Sequence, residues 1–126
     1  MIDRVEFSTG ACVGADDLAT ATGYSSHVSG KVLRVYVNYT SAAANPDFDL
    51  SDEGDPASES IVSLANQKTD IMLYPRRLVE TNDGTDVTYN GTYKVYEPYV
   101  VHGRLEATLA EADAGDAVVV TVWLES

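Results

Sequence analysis

Three consecutive runs near the C-terminus decide the fold: Gly103-Arg104-Leu105-Glu106-Ala107-Thr108-Leu109, Ala112-Asp113-Ala114-Gly115-Asp116, and Val118-Val119-Val120-Thr121-Val122-Trp123-Leu124. The first alternates apolar and polar residues, so Leu105, Ala107 and Leu109 share one face of a strand while Arg104, Glu106 and Thr108 share the other. The third is nearly continuous β-branched and apolar sequence, as in a strand that closes a sheet. The Gly and Asp residues of the middle run suit a short turn, and the spacing predicts a hairpin over Tyr99–Leu124. A strand this apolar must be paired and covered. Leu105, Leu109 and one face of Val118–Leu124 are therefore expected inside, with Val119, Thr121 and Trp123 on the opposite face.

The same pattern recurs upstream. Ile2–Phe7 alternates like a strand, and Val32–Tyr39 does so more clearly, with Leu33, Val35, Val37 and Tyr39 expected on one face and Arg34, Tyr36 and Asn38 on the other. Ile61-Val62-Ser63-Leu64 and Ile71-Met72-Leu73-Tyr74 read as two short strands joined in a hairpin, with a helix over residues 58–65 as the alternative. Val87-Thr88-Tyr89, Asn90-Gly91 and Thr92-Tyr93-Lys94-Val95-Tyr96 fit a two-residue hairpin, the strongest short-range β signal in the chain. Long loops are expected at about residues 9–29, rich in Gly, Ala, Ser and Thr, and at about 40–60, where Phe48 and Leu50 suggest a short edge strand. Many short strands without strand–helix alternation predict an all-β class: one domain over residues 1–126, an antiparallel β-sandwich of jelly-roll or Greek-key type.

The 126 residues suit one hydrophobic core. No apolar run approaches the ~20 residues of a membrane helix, and Met1–Phe7 lacks the layout of a secretory signal, so neither a membrane location nor classical export is expected. Twenty acids against eight bases give a formal charge of −12, which repels phosphate backbones and argues against a nucleic-acid partner. Such a surface favours solubility and suits a saline environment.

No catalytic constellation emerges. A Gly-x-Ser-x-Gly elbow and a phosphate-binding loop are both missing, and Cys12, His27 and His102 have no metal-ligand spacing. Asp47, Asp49, Asp52 and Gly54 loosely suggest a calcium loop, but the acids fall at the wrong positions, and a solvated acidic loop is the simpler reading. No enzyme activity, cofactor or metal is expected. Cys12 reads as a buried filler and the two histidines as structural residues.

Tyrosine is more informative. Eight tyrosines stand against two phenylalanines and one tryptophan, and Tyr74, Tyr89, Tyr93, Tyr96 and Tyr99 crowd into one third of the chain. Their apolar bodies and polar tips suit interfaces formed in water, although they also suit the covering of sheet edges. Arg76-Arg77 is the one adjacent basic pair, fit either to pair with local carboxylates or to dock an acidic partner. Arg76, Arg77, Tyr93, Tyr96, Tyr99 and Trp123 are the candidate docking or oligomer contacts.

In the runs Lys31–Val37, Ile71–Arg77, Tyr99–Leu105 and Ala114–Val120 the chain resembles the small all-β virion proteins of tailed phages, most of all capsid decoration or cement proteins. The resemblance is one of pattern and not of a diagnostic motif. It implies a homotrimer made in the host cytoplasm and docked on the outer face of the phage major capsid protein, where it bridges capsomers. It brings no catalytic residues. A carbohydrate-binding sandwich on a virion or cell surface, and another virion joint such as a tail or head-completion subunit, are the alternatives.

Overall fold

The computed structural model describes residues 1–57, 59–89 and 91–126. It is all-β, an antiparallel arrangement consistent with a β-sandwich. The strands are β1 (Ile2–Ser8), β2 (Ala19–Ser41), β3 (Asp47–Asp52), β4 (Ser60–Leu64), β5 (Ile71–Leu73), β6 (Arg77–Leu78), β7 (Thr88–Tyr89), β8 (Tyr93–Lys94), β9 (Tyr96–Glu97), β10 (Val100–Ala112) and β11 (Ala117–Glu125). The main sheet runs β1-β11-β2-β10-β3-β4, and β5 adds to β2.

β2 organises the whole. Its first half pairs with β10, from Ala19↔Ala112 to Lys31↔Val100, and its second half pairs with β11, from Lys31↔Glu125 to Ser41↔Ala117. The chain is thus already a strand at Ala19, where sequence reading expects a loop through residue 29. Two of the glycines that suggest a loop serve close approach instead. Gly23 is buried against the carbonyl of Ser8, and Gly30, at φ 138°, lies against the carbonyl of Glu125. A side chain at either place meets backbone.

The predicted hairpin of Tyr99–Leu124 takes another form. Both strands and the turn exist, with Asp116 N–H donating to the Asp113 carbonyl at 3.1 Å and Gly115 at φ 92°, but β10 and β11 do not pair with each other. Each pairs with a different half of β2. Alternation along one strand reports which side chains are buried, not which neighbour takes its hydrogen bonds, so a hairpin and an arch look alike in sequence. The expected burial holds: Leu105, Ala107, Leu109, Val118, Val120, Val122 and Leu124 are all in the core.

Two of the sheet's register shifts show how the pattern is reset. Between Trp123↔Arg34 and Leu124↔Val32 the residue Leu33 has no partner, so Val32 enters the core in place of the expected Leu33. Glu111, at φ 53°, is the extra residue before Ala112 and lets that alanine turn inward. Phe48 and Leu50 are fully buried because β3 lies between β10 and β4 and is not an edge.

Ile61–Leu64 and Ile71–Tyr74 do not form the expected hairpin. β4 pairs with β3, whereas β5 pairs with β2 through Val35↔Leu73 and Val37↔Ile71. Backbone groups of the connection explain the divergence. Asn66 N–H donates to Asp47 at 2.9 Å, Gln67 N–H to the Pro46 carbonyl at 3.0 Å, and Asp70 receives the Tyr39 N–H at 2.8 Å.

Asp116 is the most buried carboxylate, and it accepts N–H groups from Ala43 at 2.9 Å, Asp113 at 3.0 Å and Ala44 at 3.4 Å. It ties the β10–β11 turn to the end of β2. Cys12 is buried beside this turn, its N–H on the Asp116 carbonyl at 2.8 Å, and burial pushes its thiol pKa up with the Asp116 charge adding to the shift.

Candidate docking surface

Residues 77–97 leave the main sheet and build a small three-ribbon junction. Arg77–Leu78 pairs with Tyr96–Glu97, Glu80 bridges to Asp86, and Thr88–Tyr89 pairs with Tyr93–Lys94. Asn90, in the predicted two-residue turn of the last ribbon, lies outside the described residues; the flanking strands pair Tyr89 with Tyr93, one residue further on than a two-residue Asn90-Gly91 turn would set them. At the centre Val79 N–H donates to the Val95 carbonyl at 2.9 Å, Val95 N–H to Val87 at 3.3 Å, and Val87 N–H to Val79 at 2.9 Å. The three valines recur every eight residues, a spacing that sequence reading missed and that the ring of backbone bonds explains. The Lys94 ammonium bonds Asp86 at 3.0 Å and brings two of the ribbons together.

Arg77 anchors the base of the junction. Its guanidinium meets Glu97 at 3.3 Å, Glu80 at 3.4 Å and Glu59 at 3.7 Å. Arg76 bonds the carbonyls of Pro75 at 2.7 Å and Leu33 at 3.1 Å. Arg77 therefore pairs with local carboxylates, the first of the two roles open to the pair from sequence, whereas Arg76 bonds backbone carbonyls instead. Around them lies a cleft of about 330 Å³ lined by Glu59, Ile61, Arg77, Glu97, Tyr99 and Val101, among others, and beside it a second of about 370 Å³ lined by Arg76, Arg77, Tyr96 and Tyr99 with Glu59 and Glu80.

The structure thus brings Arg76, Arg77, Tyr96 and Tyr99 together. Tyr99 packs on the core, and burial raises its phenol pKa, with Glu59 adding to the rise and Arg77 opposing it. Tyr96 is 60% exposed, Tyr93 on the last ribbon 65%, Tyr74 61% and Val100 72%. Trp123 stands apart on β11, half-buried, with the Arg34 guanidinium over its ring.

Among the described residues no group of three or more His, Cys, Asp or Glu is arranged to hold a metal ion. The acidic loop uses its carboxylates internally: Asp52 accepts the N–H groups of Gly54 and His102 at 2.9 Å each, and Asp49 receives the Ser60 hydroxyl at 2.9 Å.

No protein-family model matches the chain, and no curated protein matches it in sequence. The surface is therefore read from its own chemistry. Exposed rings on a braced arm, next to a cleft of mixed charge, are suited to contact with a protein or sugar surface.

Proposed function

We propose that the chain is a virion structural subunit, a decoration protein that seats on the outer face of a phage capsid shell and bridges neighbouring capsomers. One observation carries the reading. Tyr74, Tyr93, Tyr96 and Val100 are each exposed over more than half of their surface within residues 74–100, and Tyr96 and Val100 line the clefts around Arg77. Large side chains left in water on a braced platform favour a partner that covers them, and tyrosine gains contact area at little cost in side-chain freedom. Such contacts are modest singly. A homotrimer on a repeating lattice multiplies them, because its second and third arms bind at high effective concentration.

The test is co-sedimentation of the purified protein with mature, expanded capsids, together with the capsids' melting temperature. A trimer that binds and raises that temperature is the expected result; a monomer indifferent to capsids refutes the proposal. A carbohydrate-binding role is favoured by one feature, the placing of Tyr96 and Tyr99 in a cleft with Glu59 and Glu80. A glycan array with a hit lost in Tyr96→Ala would select it. Placement at a tail or head-completion joint would give ring assemblies without lattice binding.

A further inference from the structure

We infer that His27 and His102 form a two-imidazole site for a late first-row divalent cation. The chain has just two histidines, 75 positions apart, and the β2/β10 register sets them on neighbouring strands of one exposed face: His27 lies opposite Arg104, and His102 opposite Ser29. Their ring centroids are 5.0 Å apart with planes at 88°.

That spacing matches chelation. A nitrogen ligand sits about 2.0–2.1 Å from such an ion, which places the metal about 3.2 Å from each ring centroid. Two centroids 5.0 Å apart then subtend about 100° at the metal, between the cis angles of octahedral and tetrahedral geometry. The rings stand edge to face, so one of the two exposed imidazoles must turn about its side-chain bonds to bring its nitrogen onto the shared ion. Neutral imidazole suits copper, nickel and zinc, and the Irving–Williams order puts Cu²⁺ first.

The backbone beneath the pair is fixed. His102 N–H is held by Asp52 at 2.9 Å, and Leu105 N–H, three residues on, by the Ser25 hydroxyl at 2.9 Å. Gly103 between them is buried and packed against the Asp52 carboxylate and Gly54. The nearby cation is drawn aside: Arg104 lies over the Tyr24 ring, 4.1 Å from its centroid, and bonds Glu53 at 2.6 and 2.9 Å. Lys31 is on the same strand pair, opposite Val100, while Asp52 is engaged with backbone N–H groups. With net charge −12 the surrounding field favours a cation.

Titration with Cu²⁺ and with Zn²⁺ by calorimetry, alongside NMR of the imidazole protons, tests the site on the whole chain. The expected result is one ion per chain, Cu²⁺ tighter than Zn²⁺, and both rings shifting together by one equivalent. His27→Asn and His102→Asn should each weaken binding by about 10- to 100-fold, the gain a second tethered ligand supplies. Shifts confined to one ring, or wild-type affinity in either variant, overturn the inference. The wild-type NMR readout stands whether or not a variant folds.

Discussion

The guanidinium of Arg34 lies 4.3 Å from the centroid of the Trp123 ring, across the β2/β11 pair in which these two residues are directly opposed. A cation over an aromatic face is worth about 0.5–1 kcal/mol at a partly exposed site. Arg34→Ala is expected to cost about that much stability. It also uncovers the chain's single tryptophan, so emission should shift to longer wavelength and acrylamide quenching should rise. Unchanged fluorescence would show that the ring is covered by something else.

Asp116 supports a larger prediction. Its carboxylate satisfies three backbone N–H groups near the joint between β2 and the β10–β11 turn. Asp116→Ala leaves those donors without their acceptor, at an expected cost of about 2–3 kcal/mol, measured by urea denaturation. Asn, which keeps one acceptor oxygen, should recover part of the loss.

Two glycines should respond differently to alanine. At Gly23 a Cβ collides with the backbone of Ser8 and Thr9, which no side-chain rotation relieves, so a loss of more than ~3 kcal/mol is expected. At Gly115 nothing lies within 4 Å, and the cost is that of φ 92° alone, about 1–2 kcal/mol. Equal melting temperatures for the two variants would contradict this packing of β1 against β2.

Tyr39 predicts an alkaline transition. Burial raises its phenol pKa to about 12, with Asp47 and Asp70 adding to the effect, and burial likewise raises Tyr99. The neutral form is thus favoured in the native state, while an unfolded tyrosine ionises near 10. This contribution is intact below pH 10 and is lost as pH rises toward about 12. Tyr39→Phe should flatten that loss. Its hydroxyl is buried without a hydrogen-bond partner among the described residues, so the variant should also match or exceed wild-type stability near neutral pH.

Tyr93→Ser with Tyr96→Ser separates docking from folding. Both side chains are largely exposed, so stability should change by less than about 0.5 kcal/mol. Under the proposed decoration role, co-sedimentation with capsids should fall at least tenfold. Retained binding would place the contact elsewhere on the molecule.

The residues alone determine a great deal. Strict alternation in Gly103–Leu109 and the β-branched run at Val118–Leu124 name the core residues, because side chains of a strand point to opposite faces whatever its partner. The same rule fails at Leu33 and Glu111, where one unpaired residue inverts the phase and nothing local announces it. Of the candidate contacts, Arg76 and Arg77 lie far from Tyr96 and Tyr99 in sequence and meet because β6 pairs with β9, just as the cover that Arg34 gives Trp123 required the register of β2 and β11.

Only the tertiary structure decided pairing. It turned an expected hairpin into two strands flanking β2, set the valines 79, 87 and 95 into one hydrogen-bonded ring, and brought His27 to 5.0 Å from His102. The physical reason is common to all three. Burial preferences are written residue by residue in hydropathy, but the choice of hydrogen-bonding neighbour depends on which distant strand edge is free once the core has closed.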